Sequence, residues 1–131
     1  MSPDRINFSV KVSGKFDFHS DPDRLNLIIN NLLSNSIRYR SKSRSLAISI
    51  EVIKEKNKVT IKVIDNGIGI EKKYQSKIFN MFYRANDQNT GSGLGLFIVQ
   101  ETVDKLKGKI HLTSEVNKGT AFKITLPNSK A

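Results

Sequence analysis

Residues 28–40 read IINNLLSNSIRYR, a run that begins like a buried helix yet carries three asparagines and two arginines. Asparagine is a mediocre helix former because its side chain competes for backbone hydrogen bonds. At about 100° per residue, Leu25, Ile28, Ile29, Leu32, Leu33 and Ser36 share one arc of the helix. Asn31, Asn35 and Arg38 fall in a narrow arc at its edge, where i, i+4, i+7 spacing stacks them on one side. A carboxamide oxygen is a hard, neutral ligand suited to Mg²⁺, and a guanidinium suits phosphate. A helix whose rim amides only satisfy nearby backbone has the same edge, so these three residues alone leave both readings open.

Working outward, SDPDR (20–24) predicts the helix start, with Ser20 or Asp21 as N-cap and Pro22 at the first helical position. The helix is expected to run to about Tyr39. Upstream, INFSVKV (6–12) alternates as a strand, and GKFDF (14–18) is expected to extend or pair with it. Downstream, LAISIEVI and KVTIKVID read as strands joined by the polar turn KEKNK. A short helical piece is expected near KIFNMFYRA, and a third helix from about Leu94 to Gly108. KIHLTSE and TAFKITLP close the chain as strands around VNKG, with a loose tail after Pro127. The fold class is α/β: a two-layer sandwich of one mixed, mostly antiparallel sheet covered on one face by about three helices.

Composition limits the function classes. The 131 residues suit one domain with a real core, and 37% apolar content argues against disorder. With no cysteine, disulfides and thiolate metal sites are excluded. MSPDRINFSV lacks the layout of a signal peptide, and no apolar run approaches the ~20 residues that cross a bilayer. The net charge of +10 favours phosphate-bearing partners. The basic residues are spread along the chain, however, and even the densest run, RYRSKSR (38–44), reads as a solvated surface. With no zinc-finger or RNP-type pattern, no nucleic-acid partner is expected.

Two glycine motifs change the balance. DNGIGI (65–70) follows an apolar strand, so Asp65 sits at a strand end where a buried carboxylate accepts from an exocyclic amine such as that of adenine. Gly67 and Gly69 permit a sharp turn and close approach to a flat ligand, although an ordinary Asn-Gly turn reads the same way. TGSGLGLFIV (90–99) places Gly91, Gly93 and Gly95 directly before an apolar-periodic helix, whose free N–H groups attract anions. The spacing fits neither the dinucleotide fingerprint nor a Walker loop.

In this order and spacing the motifs resemble the catalytic ATP-binding domain of sensor histidine kinases, the Bergerat fold, from about Ile6 to Pro127. NLLSNSIRY resembles the family's N box, DNGIGI its first glycine box, KIFNMFYRA its F box, TGSGLGL its second glycine box and KGTAFKITLP its closing strand pair. The resemblance implies ATP and Mg²⁺ as cofactors, with Asn35 ligating the metal, Asn31 supporting it and Arg38 on phosphate, where many relatives have lysine. It places Tyr39 against the adenine ring, Asp65 on its amino group and Thr120 at the same pocket. Phe79 and Phe82 would anchor a lid over residues 70–93, and Arg84 would reach the γ-phosphate. Gly67, Gly69, Ile70, Gly91, Ser92, Gly93, Leu94, Gly95 and Leu96 would complete the nucleotide site.

Hydrolysing relatives carry a glutamate where this chain has Asn31, and an amide cannot act as a general base. The resemblance therefore implies a kinase. Neither His19, before a helix cap, nor His111, on a strand, looks like a phospho-acceptor. The expected reading is one domain over residues 1–131, cut from a longer, cytoplasmic or membrane-anchored kinase. An upstream dimerisation domain would supply the acceptor histidine in a homodimer, and a response-regulator receiver domain would take the phosphoryl group. No membrane contact is expected from the fragment itself. A stand-alone serine kinase of the anti-sigma-factor type and a non-catalytic pseudokinase module are the alternatives.

Overall fold

The computed structural model describes residues 5–81, 83 and 93–129. Five strands form one sheet in the order β1-β2-β3-β5-β4: β1 (Ile6–Ser13), β2 (Leu46–Lys54), β3 (Lys58–Asp65), β4 (Lys109–Glu115) and β5 (Gly119–Pro127). β1 and β2 are parallel, because the helix α1 (Pro22–Arg38) crosses between them; every other pair is antiparallel. The second helix, α2 (Gly95–Lys105), packs beside α1 on the same side of the sheet.

The start of α1 is where the sequence puts it. Asp21 Oδ1 accepts from the amides of Asp23 at 3.0 Å and Arg24 at 3.2 Å, and Pro22 opens the helix. Ile28 and Leu32 of α1 meet Val99 and Val103 of α2 over Val59, Val63, Phe122 and Ile124, all buried. Phe79 caps this layer edge-to-face on Phe122, with centroids 6.1 Å apart.

Two expectations are corrected. Among the described residues there are two α-helices rather than about three. A 3-10 turn at Lys72–Tyr74 and successive i→i+3 bonds, Lys77 N to Tyr74 O at 2.9 Å and Asn80 N to Lys77 O at 3.0 Å, carry the chain through the start of KIFNMFYRA. Consecutive Ile78 and Phe79 both turn inward there, which an isolated amphipathic turn does not require. Phe82 and Arg84 lie outside the described residues. The second correction concerns GKFDF, which is not a strand. Gly14, at φ +103°, bends the chain off the sheet, and the Asn128 carboxamide then holds the passage by donating to Asp17 O and accepting from His19 N.

Strand β1 forms one edge of the sheet. Ile6, Phe8, Val10 and Val12 pair in register with the helix-facing Leu46, Ile48, Ile50 and Val52, yet they are 42–56% exposed. Burial rather than side-chain type therefore decides their contribution. Val10→Ala is expected to change stability by less than ~0.5 kcal/mol, whereas Ile50→Val should cost about 0.5–1.5 kcal/mol in urea unfolding.

Candidate functional site

The N-terminal end of α2 opens onto the edge of α1 across a cleft of about 240 Å³. Asn31, Asn35, Arg38 and Tyr39 line it from α1 and its cap; Gly93, Leu94, Gly95 and Leu96 line it from the glycine segment and α2. The helical edge singled out by spacing is thus brought against the second glycine motif. Ser34, Ile78, Tyr83 and Ile98 also line the cleft. Sequence reasoning passed over them, although Ser34 lies three residues from Asn31 and Ile98 three from Gly95, within reach of the same helical face.

Each polar group has a local reason for its aim. Asn31 Nδ2 donates to Leu27 O at 2.7 Å, which fixes the carboxamide plane. Its Oδ1 then lies 3.2 Å from where a Cβ on Gly95 would sit, so a glycine lets the two segments meet. Asn35 is only 7% exposed, and its carboxamide has no hydrogen-bond partner among the described residues. Arg38 is exposed at the cleft mouth, in the last turn of α1. Leu94 caps α2 without a side-chain hydrogen bond, unlike Asp21 at α1, so the first-turn amides of α2 have no side-chain acceptor at that cap. A helix start with no side-chain cap beside a guanidinium suits an anion.

No carboxylate is among the described cleft-lining residues. A divalent ion held there by Asn35 would therefore take its negative ligands from the anion itself, the usual arrangement for Mg²⁺ on phosphates. By the same token, no described lining residue is a carboxylate base for activating water.

Asp65 lies behind the cleft, at the end of β3, and joins it through α1. Ser36 Oγ donates to its Oδ2 at 2.8 Å and the Gly67 amide to its Oδ1 at 2.9 Å. The Thr120 amide also donates to it, from the position paired opposite on β5. The Thr120 hydroxyl is shared with Ser114 Oγ at 2.9 Å, and Ser114 Oγ in turn accepts from Ile70 N at 2.8 Å. Ser36 read as part of the apolar arc; its hydroxyl could only be paired with Asp65 once the strand end was placed.

Gly67 and Gly69 are both points of close backbone approach. A Cβ on Gly67 would lie 2.7 Å from Tyr39 O, and one on Gly69, at φ +76°, 2.1 Å from Glu115 O. Neighbouring backbone occupies the side on which a Cβ would stand. Gly91 and Ser92 lie outside the described residues.

Burial pushes the Asp65 carboxyl up from its ordinary 3.8, and hydrogen bonds from Gly67, Ser36 and Thr120 pull it part of the way back. A carboxyl whose folded value exceeds its unfolded one contributes stability below about pH 3.8, and loses it as pH rises through the folded value. At neutrality the buried charge is therefore a stability cost. Urea unfolding of Asp65→Asn should show the variant gaining on the native chain as pH rises from acid to neutral. A constant difference across that range would contradict the raised value.

A model of the histidine kinase-, DNA gyrase B- and HSP90-like ATPases matches residues 20–130, and the chain belongs to this family. It is 37% identical to the sensor protein RprX of Bacteroides fragilis over 112 residues, covering 82% of this chain and 22% of that protein. Against the sensor histidine kinase WalK of Bacillus subtilis it is 38% identical over 111 residues, covering 82% and 18%. The chain thus spans about a fifth of these relatives' length. Among solved structures, a mycobacterial sensor histidine kinase, MprB, superposes with a TM-score of 0.78 at 26% identity, covering 93% of this chain and 81% of that one.

Proposed function

We propose that this chain is the Mg²⁺-ATP-binding catalytic module of a sensor histidine kinase, which passes the γ-phosphoryl group to a histidine on another domain of the same protein. One observation carries the reading: Asn35, only 7% exposed, and the Arg38 guanidinium line one cleft with the start of α2, whose cap residue Leu94 supplies no side-chain hydrogen bond. In that cleft Asn35 would hold Mg²⁺ against the phosphates, with Asn31 oriented beside it, and Arg38 and the α2 amides would neutralise phosphate charge. Phosphoryl transfer needs mostly such positioning and charge. Asp65, with Ser36, Gly67 and Thr120 fixing its carboxylate, would receive the adenine amino group, and Tyr39 would flank the ring.

The names of the relatives extend the reading to the whole protein. Its acceptor would sit on a dimerisation domain, and a receiver domain would accept the phosphoryl group in the cytoplasm. Residues 70–93 would act as the lid, with Phe79 anchoring it on Phe122 and Arg84 reaching the γ-phosphate. The test is transfer in trans: this chain, γ-labelled ATP and a dimerisation domain carrying the acceptor histidine. Acid-labile label on that domain, absent when its histidine is changed to alanine, is the expected result. Release of free phosphate without labelled protein would favour hydrolysis instead.

A further inference from the structure

The run RYRSKSR reads as solvated charge, but Arg44 at its end is a structural joint. Its Nε donates to Asn66 O at 2.8 Å, and its Nη2 donates to Gly67 O at 2.8 Å and to Asn117 O at 3.0 Å. One planar guanidinium thus grips two successive carbonyls of the loop after Asp65 and one carbonyl of the turn between β4 and β5. Asn117, at φ +67°, closes the contact from its side by donating its amide to Ile68 O at 2.8 Å. The opposite side of the loop is tied to the chain just past Arg44. Asn66 Oδ1 accepts from Ala47 N at 2.8 Å, and Asn66 Nδ2 donates to Ser45 O at 3.1 Å.

The Gly67 amide, which fixes Asp65 Oδ1, lies between the two carbonyls that Arg44 holds. We propose that Arg44 is a positioning residue for base selection: by clamping the 66–67 carbonyls to the 117 turn, it sets the aim of Asp65 and so the preference for a 6-amino over a 6-oxo purine. The inference rests on the nucleotide reading above. Arg44 is not among the residues lining the cleft between α1 and α2, so it does not itself contact the phosphate end. A lysine can replace it only in part, because a single ammonium lacks the fork that spans three carbonyls in two segments.

The experiment compares the native chain, Arg44→Met and Arg44→Lys in calorimetric titrations with ADP, GDP and inorganic tripolyphosphate, each with Mg²⁺. The native chain should prefer ADP to GDP. Arg44→Met should lose about tenfold in ADP affinity, the equivalent of one clamped contact. GDP and tripolyphosphate affinities should stay within twofold, so that the ADP-to-GDP ratio collapses; Arg44→Lys should fall between. An unchanged ratio in both variants overturns the proposal, as does an equal loss for tripolyphosphate, which marks general loosening. If Arg44→Met does not fold by circular dichroism, Arg44→Lys decides alone. A native chain that binds neither nucleotide defeats the nucleotide reading itself. One that discriminates while the variants discriminate equally defeats only the role of Arg44.

Discussion

Asn35→Ala is expected to remove the Mg²⁺-dependent part of nucleotide affinity, a loss of ~100-fold or more, since even supporting residues around a metal are worth 10–100-fold. Affinity measured with a chelator present should hardly move, because the change deletes a metal ligand and leaves the base and phosphate contacts alone. The fold should survive for identifiable reasons. The Asn35 carboxamide has no partner among the described residues, so its removal orphans no buried group. The backbone bond from Tyr39 N to Asn35 O, 3.1 Å, is untouched, and alanine is the better helix former. An unchanged or slightly raised melting temperature together with lost Mg²⁺ dependence is the expected pair. Loss of structure, or Mg²⁺ dependence that persists, would assign Asn35 a packing role instead.

Phe122→Ala should have the largest effect on stability. Phe122 is fully buried on β5, paired in register with Val63 on one side and Leu112 on the other. Its ring also receives Phe79 edge-to-face at 78°. Truncating a ring in so closed a setting costs about 3–5 kcal/mol, a large share of the roughly 5–15 kcal/mol that holds a domain together. The urea midpoint should fall sharply with little change in slope. Phe79 would lose its seat as well, and with it the segment that presents Ile78 to the cleft. Phe122→Leu, which refills most of the space, should recover much of the loss. A cost under about 1 kcal/mol for the alanine variant would mean that this layer is not the core.

The parts of the molecule that were legible in the sequence are those with a period or a cap. Asp21 and Pro22 announced α1, alternation announced the strands, and i, i+4, i+7 spacing put Asn31, Asn35 and Arg38 on one edge, where the cleft lies. What stayed hidden depends on contacts between distant segments. The hydroxyl of Ser36 looked like a tolerated core position until Asp65, 29 residues away, was placed beside it. Arg44 looked like one charge in a basic run because its three acceptors come from residues 66, 67 and 117. Gly67 and Gly69 were read as letting a flat ligand approach, and local sequence does not show that the backbone at Tyr39 and Glu115 comes as close. GKFDF failed for a related reason: alternation predicts a strand only if an edge is available, and Gly14 turns the chain away from it.

The central claim is that the Asn35–Arg38 edge and the start of α2 hold the phosphates of a Mg²⁺-nucleotide. The most direct measurement is calorimetric titration of the chain with a non-hydrolysable ATP analogue, with and without Mg²⁺. Saturable binding at one site per chain, tightened by Mg²⁺, is the expected result. Absence of binding under both conditions would contradict it, and would leave the polar edge of α1 as nothing more than a helix rim.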